Sequence, residues 1–323
     1  MQNKLSMATI SKILLVLVTI VWGSSFVVLK DTLSTLGGGH FTFFILAARF
    51  GISSIVLIAI CWKKFITISK TTLVKGLALG FILFCAYGVQ TIGLRFTSAS
   101  KNAFLTSVYV VLVPFLSWIL IKIKPKPKHY VAACLCFVGI SFVAVIGKNE
   151  IVPNELLGDL LSGISGVFYA LQIVFLARHT REDDPIQLLI IELLVVTWLC
   201  FGISFINEFQ FHYTEFSLSF DAIWKLLYLG LVCTLFAQFG QTFAQKYASA
   251  MSVAIIFSLE AVFGVFFDLI FSGVKLTIYI IIGFVFIFVG EIVSEVKIKN
   301  LINPIFKRRS KIVTESEKTE NSK

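Results

Sequence analysis

The chain has 323 residues, of which 57% are hydrophobic and 14% charged, with 33 phenylalanines and a formal net charge of +10; its mean hydropathy is +0.91. These proportions exclude an ordinary water-soluble domain and place the chain in lipid. They also argue against a nucleic-acid partner, because Lys and Arg lie between apolar runs and near the C-terminus instead of along one amphipathic face.

In chain order, residues 1–12 form a short basic start, and residues 13–33 an apolar run. That run is too long for the h-region of a signal peptide, lacks a small-x-small cleavage site before Asp31, and has a counterpart in the second half, so it reads as a helix. Nine further apolar runs follow, near 40–62, 73–94, 98–121, 129–147, 156–177, 185–206, 222–245, 248–272 and 276–296. Each has the ~20 residues that a helix needs to cross a hydrocarbon core of about 30 Å, so ten spans are predicted. The links carry breakers, among them Gly37 to Gly39, Lys124 to Lys128, Pro153 with Asn154, and Asp183 to Pro185. Residues Asn207 to Asp221 mix aromatics with Glu208, His212 and Glu215 and read as an interfacial loop. From Lys297 the tail is basic, then polar and acidic, and is expected to be disordered. The six cysteines sit in or beside apolar runs without metal-ligand spacing and read as small buried hydrophobes.

The chain repeats itself. Shifted by 151 positions, Gln90 and Thr91 fall on Gln241 and Thr242, Arg95 on Lys246, Phe96 on Tyr247, Ser98 and Ala99 on Ser249 and Ala250, and Ser107 on Ser258. Positive charge collects after the second, fourth and sixth runs, at Lys63, Lys64, Lys70 and Lys75, then Lys122 to Lys128, then Arg178 and Arg181. Cytoplasmic loops collect such charge, so both termini are expected in the cytoplasm. With five spans in each half, the second copy enters from the opposite face. The predicted fold is an all-α membrane protein of ten transmembrane helices in two inverted five-helix repeats, 13–147 and 156–296, with a linker at 148–155 and a cytoplasmic tail at 297–323.

Several motifs carry a family resemblance: WGSSFVVLKDTL in the first run, ARF at Ala48 to Phe50, YGVQTIGLRFTSASKNAFLTSVYVVLVP across the third and fourth, GDLL at Gly158 to Leu161, Asp184 with Pro185, and KYASAMSVAIIFSLE at Lys246 to Glu260. On these the chain resembles EamA-type members of the drug/metabolite transporter superfamily. The resemblance implies secondary transport in the cytoplasmic membrane, often outward, of amino acids or other small metabolites. In one departure Ala261 follows Glu260 where the family usually has proline, which predicts a weaker kink there.

Ionisable groups in mid-membrane are expensive and need a partner or a wet cavity. Arg49, Glu192 and Glu260 are those groups, and aligning the second run with the seventh sets Arg49 opposite Glu192, which allows a pair between them. If one carboxylate neutralises Arg49, the other is free to bind a proton or a substrate ammonium; no cofactor is expected beyond that coupling proton. The polar and aromatic candidates for substrate contact are Trp22, Tyr87, Gln90, Tyr109, Tyr169, Gln172, Gln238 and Gln241. Their structural alternative is interhelical glue, and for Arg49 it is capping of backbone carbonyls.

An enzyme is disfavoured: His40, His129, His179 and His212 fall in loops or at helix ends, and no G-x-S-x-G or Walker motif is present. The partners expected are a small-molecule substrate and the bilayer, with monomer and homodimer both open. The alternatives are a non-transporting membrane scaffold or accessory protein, and an uptake carrier of the same fold.

Overall fold

Within hydrocarbon, a chain must satisfy its own backbone N–H and C=O groups, and an apolar run does so by coiling into a helix. In the computed structural model, which describes residues 6–144, 154–273 and 277–295, every regular element is helical. In chain order the long ones are α1 (Met7–Thr35), α2 (Thr42–Ile60), α3 (Lys70–Phe96), α4 (Ala99–Ile121), α5 (Pro127–Ala144), α6 (Glu155–Glu182), α7 (Pro185–Glu215), α8 (Phe220–Gln245), α9 (Ala250–Phe271) and α10 (Ile278–Glu295). Eight are long and apolar enough to cross a membrane; α5 and α10 are shorter apolar helices. The 148–155 linker falls largely, and the tail from Lys297 wholly, outside the described residues.

Helix starts follow local chemistry. Ser6, Ser69, Ser98, Ser219 and Ser249 each accept a backbone N–H from three residues on, and Asp184 accepts from Ile186 N and Gln187 N with Pro185 in the first turn. Large side chains such as Ile55, Phe81, Trp198, Phe205 and Phe271 are exposed on the outside, while Arg49, Glu192, Gln172 and Gln238 have no exposed surface. Apolar groups outside and polar groups inside is the distribution a bilayer solvent selects.

Three helix pairs run antiparallel. Along α2 and α7, Phe43 N meets Glu208, and Lys64 meets Asp184. Along α4 and α9, Ser100 N meets Asp268, and Tyr109 meets Phe257 O. Along α5 and α10, Lys128 bonds to Ser294 O, and Cys136 Sγ lies 3.9 Å from Ile287 O. Close approach in this last pair depends on glycine: a Cβ on Gly139 would lie 2.5 Å from Gly283 O. At the α3–α6 crossing, a Cβ on Gly158 would lie 2.9 Å from Gly93 O.

One expectation is corrected. Residues 207–221 are not simply a loop, because α7 continues through a π-helical turn (Ser204–Glu208) and further helical turns to Glu215. Helix α9, which lacks proline after Glu260, is interrupted at Ser258 between Ala250–Phe257 and Leu259–Phe271. Ser258 Oγ donates to Ile255 O at 2.6 Å, a back-bond that bends helices. Helix α4 breaks between Thr106 and Tyr109, where Ser107 Oγ donates to Ala103 O at 2.9 Å.

Candidate substrate cavity

The middle of α8 is a π-helical stretch, Leu229–Phe236. In a π turn each N–H reaches one residue further back, which loosens the carbonyl register and leaves acceptors available to other helices. Thr234 Oγ1 donates to Leu229 O, five residues back, at 2.8 Å. Cys233 O accepts from Trp22 Nε1 at 3.0 Å, and Gly230 O accepts from Ser53 Oγ at 2.7 Å. Arg49 enters the same region: its Nε donates to Thr234 Oγ1 at 2.7 Å, and its Nη2 lies 3.5 Å from Cys233 O. The guanidinium carbon stands 5.1 Å from the centroid of the Tyr87 ring and 5.6 Å from that of Phe50. Arg49 Nη1 has no hydrogen-bond partner, and among the described residues no carboxylate lies within 4 Å of this side chain. The pair that the alignment allows between Arg49 and Glu192 is therefore not formed. Aromatic faces and the acceptors of α8 accommodate the charge instead.

Arg49 borders a small cavity of about 30 Å³ whose other walls include Trp22, Ser25, Tyr87, Gln90, Asn102, Thr106, Tyr109, Tyr169, Gln241, Phe257 and Glu260. Glu260 is anchored on one oxygen, Oε2, by Tyr109 OH at 3.3 Å, and the same hydroxyl lies 2.9 Å from Phe257 O at the break in α9. Tyr169 OH donates to Gln90 Oε1 at 2.8 Å, and Gln90 Nε2 donates to Thr106 Oγ1 at 3.2 Å. The Tyr87 and Tyr169 rings meet edge-on at 5.5 Å. This is the usual composition of a small-molecule site: aromatic walls with a few convergent polar groups.

Eight of the eleven expected site residues line this space; Gln172, Glu192 and Gln238 do not. Each of those three reaches it through hydrogen bonds. Gln241 Nε2 donates to Gln172 Oε1 at 2.9 Å, Gln172 Nε2 donates to Glu192 Oε2 at 3.3 Å, and Gln238 Nε2 donates to Tyr87 OH at 3.0 Å. Glu192 Oε1 is buried without a partner. Sequence reasoning missed Thr234 and the Cys233 carbonyl, which hold Arg49. No local signal marks them, because the π turn that presents them has an ordinary apolar sequence.

Charged clusters close both ends of the bundle. Where α3 begins, Lys75 bonds to Asp183 at 2.6 Å and Glu182 at 2.8 Å, Thr72 bonds to Asp183 at 2.6 Å, and Lys64 pairs with Asp184. Burial pushes the Asp183 carboxyl up, but hydrogen bonds from Lys75 and Thr72 together with the Lys75 charge hold it below its ordinary value. Burial opposes ionisation of Asp184 too, and the Lys64 ammonium with the Ile186 and Gln187 amides outweighs it. Where α3 ends, Lys101 pairs with Asp159 at 2.6 Å and Glu155 at 2.7 Å. Beside it Lys30 donates to the carbonyls of Leu94, Arg95 and Thr97 at 2.6, 3.2 and 2.8 Å.

A helical membrane bundle with a polar, aromatic-walled cavity at its centre defines the class of small-molecule membrane transporters. The sequence profile of the EamA-like transporter family matches twice, over residues 9–145 and 156–294. The chain belongs to the EamA-like transporter family. It is 28% identical over 256 residues to an uncharacterized transporter of Archaeoglobus fulgidus, covering 79% of this chain and 75% of that one. It is 23% identical to the uncharacterized transporter YoaV of Bacillus subtilis, covering 84% and 92%. A solved crystal structure shares the fold at a TM-score of 0.70 and 13% identity, covering 88% of this chain and 95% of the other.

Proposed function

We propose that this protein is a secondary transporter that carries amino acids or closely related zwitterionic metabolites outward across the cytoplasmic membrane by alternating access. The observation that carries the reading is that one cavity is lined by both a basic and an acidic side chain: Arg49, with an unused N–H, and Glu260, anchored on only one oxygen, both without an ionic partner within 4 Å among the described residues. A zwitterion supplies a carboxylate to the first and an ammonium to the second. A dianionic phosphate would bring more negative charge than one guanidinium offsets. Trp22, Tyr87, Tyr109 and Tyr169 supply apolar faces for a side chain.

Alternating access rests on an inverted doubling of ten helices. Support comes from Tyr87 with Gln238 and Tyr109 with Glu260, pairs 151 residues apart that hydrogen-bond to each other. Cys136 and Ile287, at the same separation, also touch. A residue can touch its own repeat mate only on the axis relating the repeats, and the antiparallel run of α2 with α7, α4 with α9 and α5 with α10 is what an axis in the membrane plane requires. We assign proton coupling to Glu192 and Glu260, and the positive loops to a cytoplasmic face that also holds both termini.

The test is counterflow of labelled amino acids into proteoliposomes containing the purified protein. Saturable uptake is expected, reduced at least tenfold in Arg49→Gln and Glu260→Gln, with loss of its pH dependence in Glu192→Gln or Glu260→Gln. An inert bilayer across a broad panel of amino acids would return the protein to the class of membrane scaffolds.

A further inference from the structure

His40, in the link between α1 and α2, and His212 and Glu215, in the last turns of α7, meet at the end of the bundle where α3 ends. Their candidate ligand atoms all lie within 4.8 Å of one another. The imidazole rings stack at 3.9 Å with planes 18° apart. Both histidines turn a nitrogen toward the same carboxylate: His212 Nδ1 is 3.2 Å from Glu215 Oε1, and His40 Nε2 is 3.7 Å from Glu215 Oε2.

Two of these spacings, 3.2 and 3.7 Å, lie near the edge of a small coordination tetrahedron, and binding a shared ion would turn the stacked rings so that both nitrogens face it. With zinc bonds of about 2.0–2.1 Å to nitrogen and oxygen, tetrahedral geometry separates neighbouring ligand atoms by roughly 3.3 Å. The side chains are 40%, 33% and 46% exposed, so water and ions reach them, and a cavity bordered by both histidines leaves room for a fourth, solvent ligand.

The frame beneath is fixed by a glycine turn, an aromatic cluster and a helix cap. Gly37 and Gly39 take positive φ, 62° and 91°, in the turn that delivers His40, and a Cβ on Gly37 would lie 3.2 Å from Glu215 O. Phe41 and Phe44 pack against both Phe209 and Phe216 at centroid distances of 5.0 to 5.5 Å. Glu208 caps the start of α2 by accepting from Phe43 N at 2.6 Å and Phe44 N at 2.8 Å, and its charge offsets the neighbouring Arg95. With neutral imidazoles the three ligands carry one negative charge, which favours a dication.

We propose that His40, His212 and Glu215 form a binding site for a borderline divalent transition-metal ion, with Zn²⁺ the best match in ligand type and geometry. Imidazole nitrogen with one carboxylate suits zinc better than calcium or magnesium, which take mainly oxygen. The bound ion bridges the α1–α2 link to the end of α7. The assignment stands independently of any transport activity.

The test uses full-length protein purified through a histidine-free tag, stripped with chelator and titrated with ZnSO₄ by calorimetry. Saturable binding is expected, weakened on the order of tenfold or more in His40→Ala, His212→Ala and Glu215→Gln. His179→Ala, at the other end of the bundle, leaves that binding in place. Zn²⁺ raises the thermal midpoint of the wild type and not that of His40→Ala, while the metal-free midpoints show that each variant is folded. Absence of saturable Zn²⁺ binding in the wild type, or full binding in the folded His40→Ala/His212→Ala double variant, would overturn the proposal.

Discussion

The chain of amides from the cavity to Glu192 makes a quantitative prediction. Gln172 holds two hydrogen bonds, from Gln241 Nε2 at 2.9 Å and to Glu192 Oε2 at 3.3 Å. Side-chain hydrogen bonds inside membrane bundles contribute about 0.6 kcal/mol on average and about 1.7 at most. Their loss in Gln172→Leu therefore costs about 1–2 kcal/mol directly. The larger effect falls on Glu192, which has no exposed surface and whose Oε1 already lacks a partner. Stranding its second oxygen adds an unsatisfied-group penalty of about 1–3 kcal/mol. The total destabilisation expected is about 2–5 kcal/mol.

In a Glu192→Leu background that second penalty vanishes, because no carboxylate remains to be stranded. Gln172→Leu then costs only its bond with Gln241, about 1 kcal/mol. The double-mutant cycle should give a coupling energy of about 1–4 kcal/mol, with the double variant more stable than Gln172→Leu alone. Reversible unfolding in mixed detergent micelles, followed by tryptophan fluorescence, measures all four corners. Costs that add within about 0.5 kcal/mol would show that Gln172 does not support Glu192, and the hydrogen-bonded route between this carboxylate and the cavity would be refuted.

Helix approach gives a contrasting pair: a Cβ at Gly76 would lie 2.7 Å from Ile191, so Gly76→Val should destabilise by about 1–3 kcal/mol in the same unfolding assay, whereas Gly202, with nothing within 4 Å, should accept alanine with a neutral or slightly stabilising effect. Asp184 caps α7 and pairs with Lys64, so Asp184→Ala should cost about 1 kcal/mol, and Asp184→Asn, which keeps the cap, should cost less. The folded-state pKa of Asp184 lies below its unfolded value of about 3.9, so its ionic contribution is present above that pH and disappears as pH falls through the folded value. Unfolding profiles of wild type and Asp184→Asn should therefore differ at pH 6 and converge as the pH falls below the folded-state pKa of Asp184. Breaking the anchor in Tyr109→Phe removes donors from Glu260 and from Phe257 O, and should lower thermal stability and alter amino-acid counterflow together.

The helical spans were legible because twenty-residue apolar runs leave a chain in lipid few alternatives, and eight helices follow them closely. Their interruptions were not. A single serine in an apolar run is ordinary, and only in three dimensions do the back-bonds of Ser107 and Ser258 coincide with breaks in α4 and α9. Most of the polar groups around the cavity could be picked from sequence, since buried amides and charges in lipid are few. Their partners could not. Arg49 reaches Thr234, 185 positions away, across a π turn that leaves no periodic trace, so a charge match with Glu192 looked more natural than a hydroxyl and a carbonyl. Residues 207–221 misled for another reason: mixed polarity suggested a loop, but Phe209 and Phe216 pack on Phe41 and Phe44, and that burial outweighs local propensity.

The contacts between repeat mates bear on why the cavity lies where it does. A site on the axis of an inverted repeat is equidistant from both faces, so exposure to either side can be exchanged while the central contacts persist. Were the two halves identical there, a bound zwitterion would have two equivalent orientations. The halves have diverged at these positions: Tyr87 faces Gln238, Tyr109 faces Glu260, and the position matching Arg49 holds Glu192, drawn back behind Gln172. One cation and one carboxylate then remain at the cavity wall. Under the proposed function, that asymmetry would give a zwitterionic substrate a single polarity, with its carboxylate toward α2 and its ammonium toward α9. The exchanged variant Arg49→Glu/Glu260→Arg separates this reasoning from a purely structural role for the two charges. Counterflow retained in the exchanged variant and absent from both single replacements is the outcome expected of a polar fit. Equal loss in all three, with unchanged thermal stability, would argue that the surrounding π turn and tyrosines already fix which charge belongs on which wall.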